Sequence, residues 1–396
     1  MRVVLNNLTA IGQKTGIGHY VNELVAGLRT QAPDGRFELF PGALLAAGAR
    51  AMRGVRRGIS KLRRQPSPPA VQPPGHDRSW TITWGRACAA WHFRAFWSWR
   101  RFDLYHEPNY IPFLCDRPTV ATVHDLSVML HPEWHPRHRV DHFARHFEPG
   151  LRRCARLLAD SEFTRRELIA AFSVPPEKVR RVPIGIRIDL APMASTAVEA
   201  ARRRLGLPEN YLLHVGTIEP RKNLLMLMKA YGDLPGPVRQ CCPLILAGGW
   251  GWNVAEVAEH YDGVARELGV RHLGYVADAD LPALYNGARA LLFPSHYEGF
   301  GLPPLEMMAC GGAVIASTAG AVVETVGKHA HLVDPNDLVG WRDAMRRVIT
   351  EDDWREALAR GATEVARPYT WERCARGTFQ VYEEVLGKRI LMAQAA

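Results

Sequence analysis

Short apolar runs alternate with helical stretches along this chain, and no other feature constrains its fold as much. In the second half, runs near 211–215, 243–247, 272–275, 290–293 and 313–316 read as strands. Helical segments follow most of them, as KNLLMLMKAYGDL follows the first. Apolar strands joined by helical crossovers belong in a parallel, doubly wound sheet. The first half repeats the pattern near 3–5, 37–40, 102–106, 119–123, 156–159 and 179–183. With 396 residues the chain is too long for one ordinary core. The expected fold class is α/β, with two doubly wound Rossmann-like domains facing across a cleft. We place them at 1–186 and 197–370, joined by a linker near 186–196. A final amphipathic helix in 371–396 has no strand after it, which leaves its packing partner open, the N-terminal domain being one choice.

Composition narrows the class. A 47% hydrophobic, 23% charged chain is globular rather than disordered. No apolar run approaches the roughly 18 to 20 residues of a spanning helix. The start, MRVVLNNLTAIGQ, reads as a strand and not as a signal or transit peptide. The seven cysteines are scattered, with one adjacent pair, Cys241 and Cys242, and no C-x-x-C spacing. Reduced thiols and a cytoplasmic location are the economical expectation. The net charge of +10 is local: residues 51–101 hold eleven Lys/Arg against one acid, Asp77. This basic, then Pro-rich stretch interrupts the first domain as an insertion at about 45–101.

In an open parallel sheet, ligands bind beyond the carboxyl ends of the strands. Four loops leave strands at such an edge. In EGFGLPPLE, amides of Gly299, Phe300, Gly301 and Leu302 would open a helix and offer donors to a phosphate. Glu298 precedes them and Glu306 follows one turn into the helix. A carboxylate accepts two hydrogen bonds, so each suits adjacent sugar hydroxyls. Alone, Glu306 also fits a helix-dipole role and Glu298 a solvated loop position. In EPRKN, Arg221 and Lys222 sit at a helix start, where only a bound anion favours their charge. His124 ends the strand of TVATVHDL, placed to donate to a phosphate or a sugar. Gly16 and Gly18 of TGIGHY precede a helix, which by itself is a weak sign.

Together these features suggest a nucleotide-sugar ligand, and the chain resembles the retaining glycosyltransferases of family 4, with their two-domain GT-B fold. The family's E-x7-E motif matches Glu298 and Glu306, its TVHD histidine matches His124, and its PRKN pair matches Arg221 and Lys222. SEFTRREL matches its serine-led helix, while TGIGHY, HEPNYIP and HPEWHP resemble the bacterial mannosyltransferase-like branch. The resemblance implies transfer of a hexosyl group with retention of configuration, in cell-surface polysaccharide synthesis. It implies a nucleotide-sugar donor, GDP-mannose by the branch, and a glycan or lipid-linked acceptor. Glu306 would bind the ribose, Arg221 and Lys222 the diphosphate, and Glu298 the donor sugar. Amides of residues 299–302 would meet phosphate and sugar, His124 would reach the sugar from the other domain, and Gly16 would let the first loop approach the diphosphate. The chain departs from the family at Gly216-Thr217, where many members carry an arginine, and at Thr15, where a second glycine is frequent.

No cofactor is expected. The D-x-D of Asp278 and Asp280 precedes LPALYNGA and reads as a helix N-cap rather than a metal site. Ser161 reads as the cap of SEFTRREL, with Thr164 a second candidate. A nicotinamide dehydrogenase would need G-x-G-x-x-G after a strand, and GTIEPRKN is not that. A nucleotide-sugar epimerase of the same fold and a non-catalytic basic binding module are the alternatives. No nucleic acid is expected as a partner. Residues 80–101 hold five of the eleven tryptophans, interleaved with arginine. If helical, they put Trp80, Trp84 and Trp91 on one face. Such a stretch suits an anionic membrane surface, which would make the protein peripheral on the inner face. The same tryptophans also fit a place in the N-terminal core.

Overall fold

The computed structural model describes residues 1–10, 16–42 and 79–394. Among the described residues, two six-stranded sheets account for the twelve strands. The first is built from β1 (Arg2–Asn6), β2 (Arg36–Phe40), β3 (Leu104–Glu107), β4 (Thr119–Val123), β5 (Arg156–Ala159) and β6 (Val179–Arg181), in the order β2-β1-β3-β4-β5-β6. The second uses β7 (Leu212–Val215), β8 (Leu244–Ala247), β9 (Val270–Gly274), β10 (Ala290–Phe293), β11 (Ala313–Ser317) and β12 (His331–Val333), in the order β12-β11-β10-β7-β8-β9. Every pairing is parallel. β4, β8, β10 and β11 are buried along their whole length, as strands covered by helices on both faces must be. β12 escapes the sequence reading because it is a three-residue edge strand, only partly buried, with no apolar run to mark it.

Strand order reverses between β1 and β3 in the first sheet, and between β7 and β10 in the second. At such a reversal the crossovers run to opposite faces and open a crevice beyond the strand ends. The crevice of the second sheet lies between the loops after β7 and β10, which carry EPRKN and EGFGL.

The last helix, Trp371–Gln394, packs on the first domain. Its Cys374, Ala375, Val381, Tyr382 and Val385 join the core made by β1 and the helix Gly16–Gln31. Tyr382 places its hydroxyl 2.6 Å from His106 Nδ1 in β3. The chain thus crosses between domains twice, and the crossings touch where the Ile186 amide donates to the Tyr369 carbonyl at 2.9 Å.

Part of the basic insertion is a helix, Ser79–Trp99. Phe93 is buried, edge-on to Phe40 at 5.0 Å and stacked on Phe113, in a small cluster with Val4 and Tyr105. Trp97 packs at the margin of that cluster, and Trp91 is 75% exposed. The side chains of Trp80 and Trp84, and the basic residues of 51–78, lie outside the described residues, so their common face is not described either. All seven cysteines are free.

Candidate functional site

β10 ends at Phe293, and the loop that follows enters the helix Leu302–Ala309 through Gly301, whose φ of +102° favours glycine. Among the described residues, the amides of Gly299, Phe300, Gly301 and Leu302 donate to no protein acceptor. They converge at a helix N-terminus, where unsatisfied amides and the helix dipole favour an anion. The Phe300 ring turns away into the core against Tyr369, so only its backbone faces this site.

Gly299 is glycine for a second reason. A Cβ there would overlap the His124 carbonyl and come within 2.8 Å of the Asp125 Cβ. The loop after β4 therefore lies directly on the glycine loop of the other domain. Two hydroxyls hold it there: Ser161 Oγ and Thr164 Oγ1 donate to the Gly299 carbonyl at 2.7 and 3.2 Å. Ser161 also caps the helix Glu162–Phe172, accepting from the Thr164 amide at 3.0 Å. Thr164 lies inside that helix and is not its cap. From the opposite domain, Glu324 accepts from the amides of Glu162 and Phe163, both at 3.0 Å, and pairs with Arg181 at 2.9 Å. The same helix end is thus capped by its own serine and by a carboxylate of the other domain.

Glu298 is 7% exposed and fully engaged. Arg221 Nη1 donates to Oε2 and Lys222 Nζ to Oε1, each at 2.6 Å. Arg221 also pairs with Glu219 at 2.7 Å. Burial would push the Glu298 carboxyl up, but the two cations outweigh it and hold it down at about 2. Arg221 and Lys222, expected to meet a diphosphate, are thus held by carboxylates of the protein itself. Buried cations must be paired, and in this state Glu298 and Glu219 are the partners.

Glu306, at the far end of the motif, has the opposite environment. Burial raises its carboxyl, against the Tyr285 hydroxyl, which donates to Oε2 at 2.6 Å, and against Arg187 nearby. Asp189 and Asp278 add to the rise. Among the described residues Oε1 receives no donor, so one oxygen is open to a hydroxyl. Tyr285 and Arg187, which bonds Asp189 at 2.6 Å, carry no local motif, and only the fold brings them to Glu306.

His124 is committed on both ring nitrogens. Nδ1 lies 2.7 Å from Asp160 Oδ2, and Nε2 lies 2.9 Å from the Pro108 carbonyl oxygen. Both partners accept, so the ring that bonds both carries two protons. Burial would lower its pKa, and Asp160 beside it reverses that. The ring meets its own domain here; it is the carbonyl of His124 that meets the glycine loop. Gly16 is exposed and opens the helix Gly16–Gln31, while residues 11–15 before it lie outside the described residues.

Asp280 occupies the N-cap position of Leu281–Asn286 but makes no cap bond, because its carboxylate pairs with Arg204 at 2.5 Å. Asp278 lies 3.5 Å from both His19 and Arg187. Asp280 thus holds the expected N-cap position without a side-chain cap bond, and Asp278 is not the cap. Among the described residues, no group of three His, Cys, Asp or Glu side chains is arranged to hold a metal ion.

Comparison with known proteins adds to this geometry. Residues 198–365 match the family model described as Glycosyl transferases group 1, and residues 15–190 that of Glycosyltransferase Family 4. The O-antigen chain mannosyltransferase B of Escherichia coli is 34% identical over 381 residues, 93% of this chain and 96% of that relative. The serotype-specific mannosyltransferase WbdA of Escherichia coli is 31% identical over 65% of this chain, which spans 32% of that longer protein. A crystal structure of Anabaena HepE in complex with UDP and glucose superposes with a TM-score of 0.69 at 17% identity, covering 97% of this chain and 99% of that one.

Proposed function

The chain belongs to glycosyltransferase family 4, with the GT-B fold, and on that premise we propose that it transfers a mannosyl group from GDP-mannose. The acceptor is a growing glycan or a lipid-linked saccharide, and the setting is cell-surface polysaccharide synthesis. One observation carries this reading. At the switch point of the second sheet, open amides at a helix end, two cations and two glutamates converge around one loop.

In this reading the diphosphate lies on the amides of residues 299–302 and shares Arg221 and Lys222 with Glu298. Glu306 receives the ribose hydroxyls on its open oxygen, and Glu298 faces the donor sugar. His124 contributes through its carbonyl and its place beside the sugar, with the ring held by Asp160. Gly16 lets the first loop approach the diphosphate. The acceptor hydroxyl attacks the anomeric carbon as the bond to the phosphate oxygen breaks. Its proton passes to the leaving phosphate on the same face, so configuration is retained without a protein nucleophile. With two cations and a helix N-terminus to stabilise the leaving group, no metal is required.

The test is a screen of nucleotide sugars for transfer to mannose-terminated acceptors, in the presence and absence of EDTA. Transfer from GDP-mannose that survives chelation, giving an α-linked product, supports the proposal. Transfer restored only by magnesium or manganese rejects the metal-free step, and turnover confined to another nucleotide sugar rejects the donor.

The protein works on the cytoplasmic side, at the inner face of the membrane, through residues 51–101. Exposed Trp91 and the local positive charge support this. The protein should sediment with anionic vesicles at low salt and not with neutral ones. Equal partition onto both, or onto neither, removes the membrane role.

A further inference from the structure

A cleft lies away from the glycine loop, at the double crossing between domains. It encloses about 550 Å³. One wall is the outgoing crossing, Arg181, Val182 and Pro183, and another is the return at Pro368 and Tyr369. The C-terminal helix closes it with Arg373 and Arg376. Three guanidinium groups thus line one cavity, against a single lining carboxylate, Glu364, which already pairs with Arg367 at 2.6 Å.

These arginines are not equally satisfied. Arg181 pairs with Glu324, and Arg376 with Glu372 one turn earlier on its own helix. Arg373 has no acidic partner among the described residues. Burial raises the pKa of the Tyr369 phenol; Arg181 and Arg373 oppose the rise, and Glu324, the partner of Arg181, adds to it. The strand side and the helix side of the cleft therefore present positive charge to the same point. Like charges around a cavity repel, and a multivalent anion between them reverses the sign of that interaction. Guanidinium forks with a phenol beside them match the donor geometry that phosphate oxygens require.

We propose that this cleft is a second anion site, taking a small phosphate-bearing molecule at the hinge between the domains. Its walls come from both crossings and from the helix that anchors the return.

The probe is inorganic pyrophosphate, titrated calorimetrically into the full chain carrying Arg221→Ala and Lys222→Ala to weaken the glycine-loop site. One saturable site is expected in this background. Adding Arg373→Ala should weaken it about tenfold, and Arg373→Glu should abolish it. Arg373 is exposed, so the fold should tolerate both changes, which circular dichroism checks. An affinity unchanged by Arg373→Glu, or no saturable binding in the Arg221/Lys222 background, overturns the proposal. Neither result bears on the nucleotide-sugar reading, which stands or falls on Glu298 and Glu306.

Discussion

The two sheets share a plan, six parallel strands with one reversal of order, yet their carboxyl edges carry different chemistry. At the second sheet's edge, charges are buried and clustered: Arg221, Lys222, Glu219 and Glu298 interlock below a row of open amides. At the first sheet's edge His124 is spent on Asp160 and Pro108 of its own domain, while Ser161 and Thr164 donate to the Gly299 carbonyl of the other. Aromatic rings line that edge as well. Trp134 lies between His131, stacked at 4.1 Å, and His296 of the other domain at 5.9 Å. One edge is built for an anion, while the other offers ring faces and backbone. A shared fold therefore says little about the division of labour, which resides in the loops.

That contrast is open to direct attack, beginning with the buried charges. Glu298→Gln should cut transfer by about a hundredfold or more, the scale of losing a contact to the reacting sugar. It should also tighten binding of free nucleoside diphosphate by about tenfold, because the competing carboxylate is gone. A parallel loss of transfer and diphosphate affinity would place Glu298 on the nucleotide instead. The uncompensated cations should also lower stability by about 3 kcal/mol, read from denaturant midpoints.

Glu306→Ala should weaken nucleoside diphosphate binding by about ten- to hundredfold, since hydrogen bonds to a charged acceptor are worth about 1.5–3 kcal/mol. An unchanged dissociation constant would show that the open oxygen of Glu306 faces no ribose.

The contact between the edges is the next target. Ser161→Ala with Glu324→Ala removes hydrogen bonds that hold the helix Glu162–Phe172 to the other domain. We expect kcat to fall about tenfold, with diphosphate affinity within about twofold of the original and a larger radius in small-angle scattering. If kcat and radius stay put, these residues only cap a helix.

The smallest effect concerns pH. Glu298 has its pKa depressed to about 2, so its charge stabilises the fold above the ordinary carboxyl range, and this is lost as pH falls through about 2. Glu306 has its pKa raised, so its contribution is present below the ordinary range and lost as pH rises through the higher value. Glu298→Gln should flatten the fall of stability between about pH 5 and 2, whereas Glu306→Gln should flatten the loss of stability as pH rises above the ordinary carboxyl value. Matching slopes for the two variants would mean that their environments are alike.

Strand–helix alternation, the two-domain division and the loop residues around Glu298 and Glu306 were legible in the sequence, because each follows from local pattern. A buried parallel strand must be apolar, and a glycine-led helix start exposes amides wherever it occurs. The partners of those residues were not legible. Ser161 and Gly299 are 138 positions apart, and Glu162 and Glu324 are 162. Tertiary structure alone decided that Gly299 must admit the His124 carbonyl, that Arg221 and Lys222 close on Glu298, and that the final helix belongs to the first domain. It also set the opposite pKa shifts of two glutamates in one motif. Such shifts depend on which charges share a buried volume, and the chain settles that only when distant segments pack together.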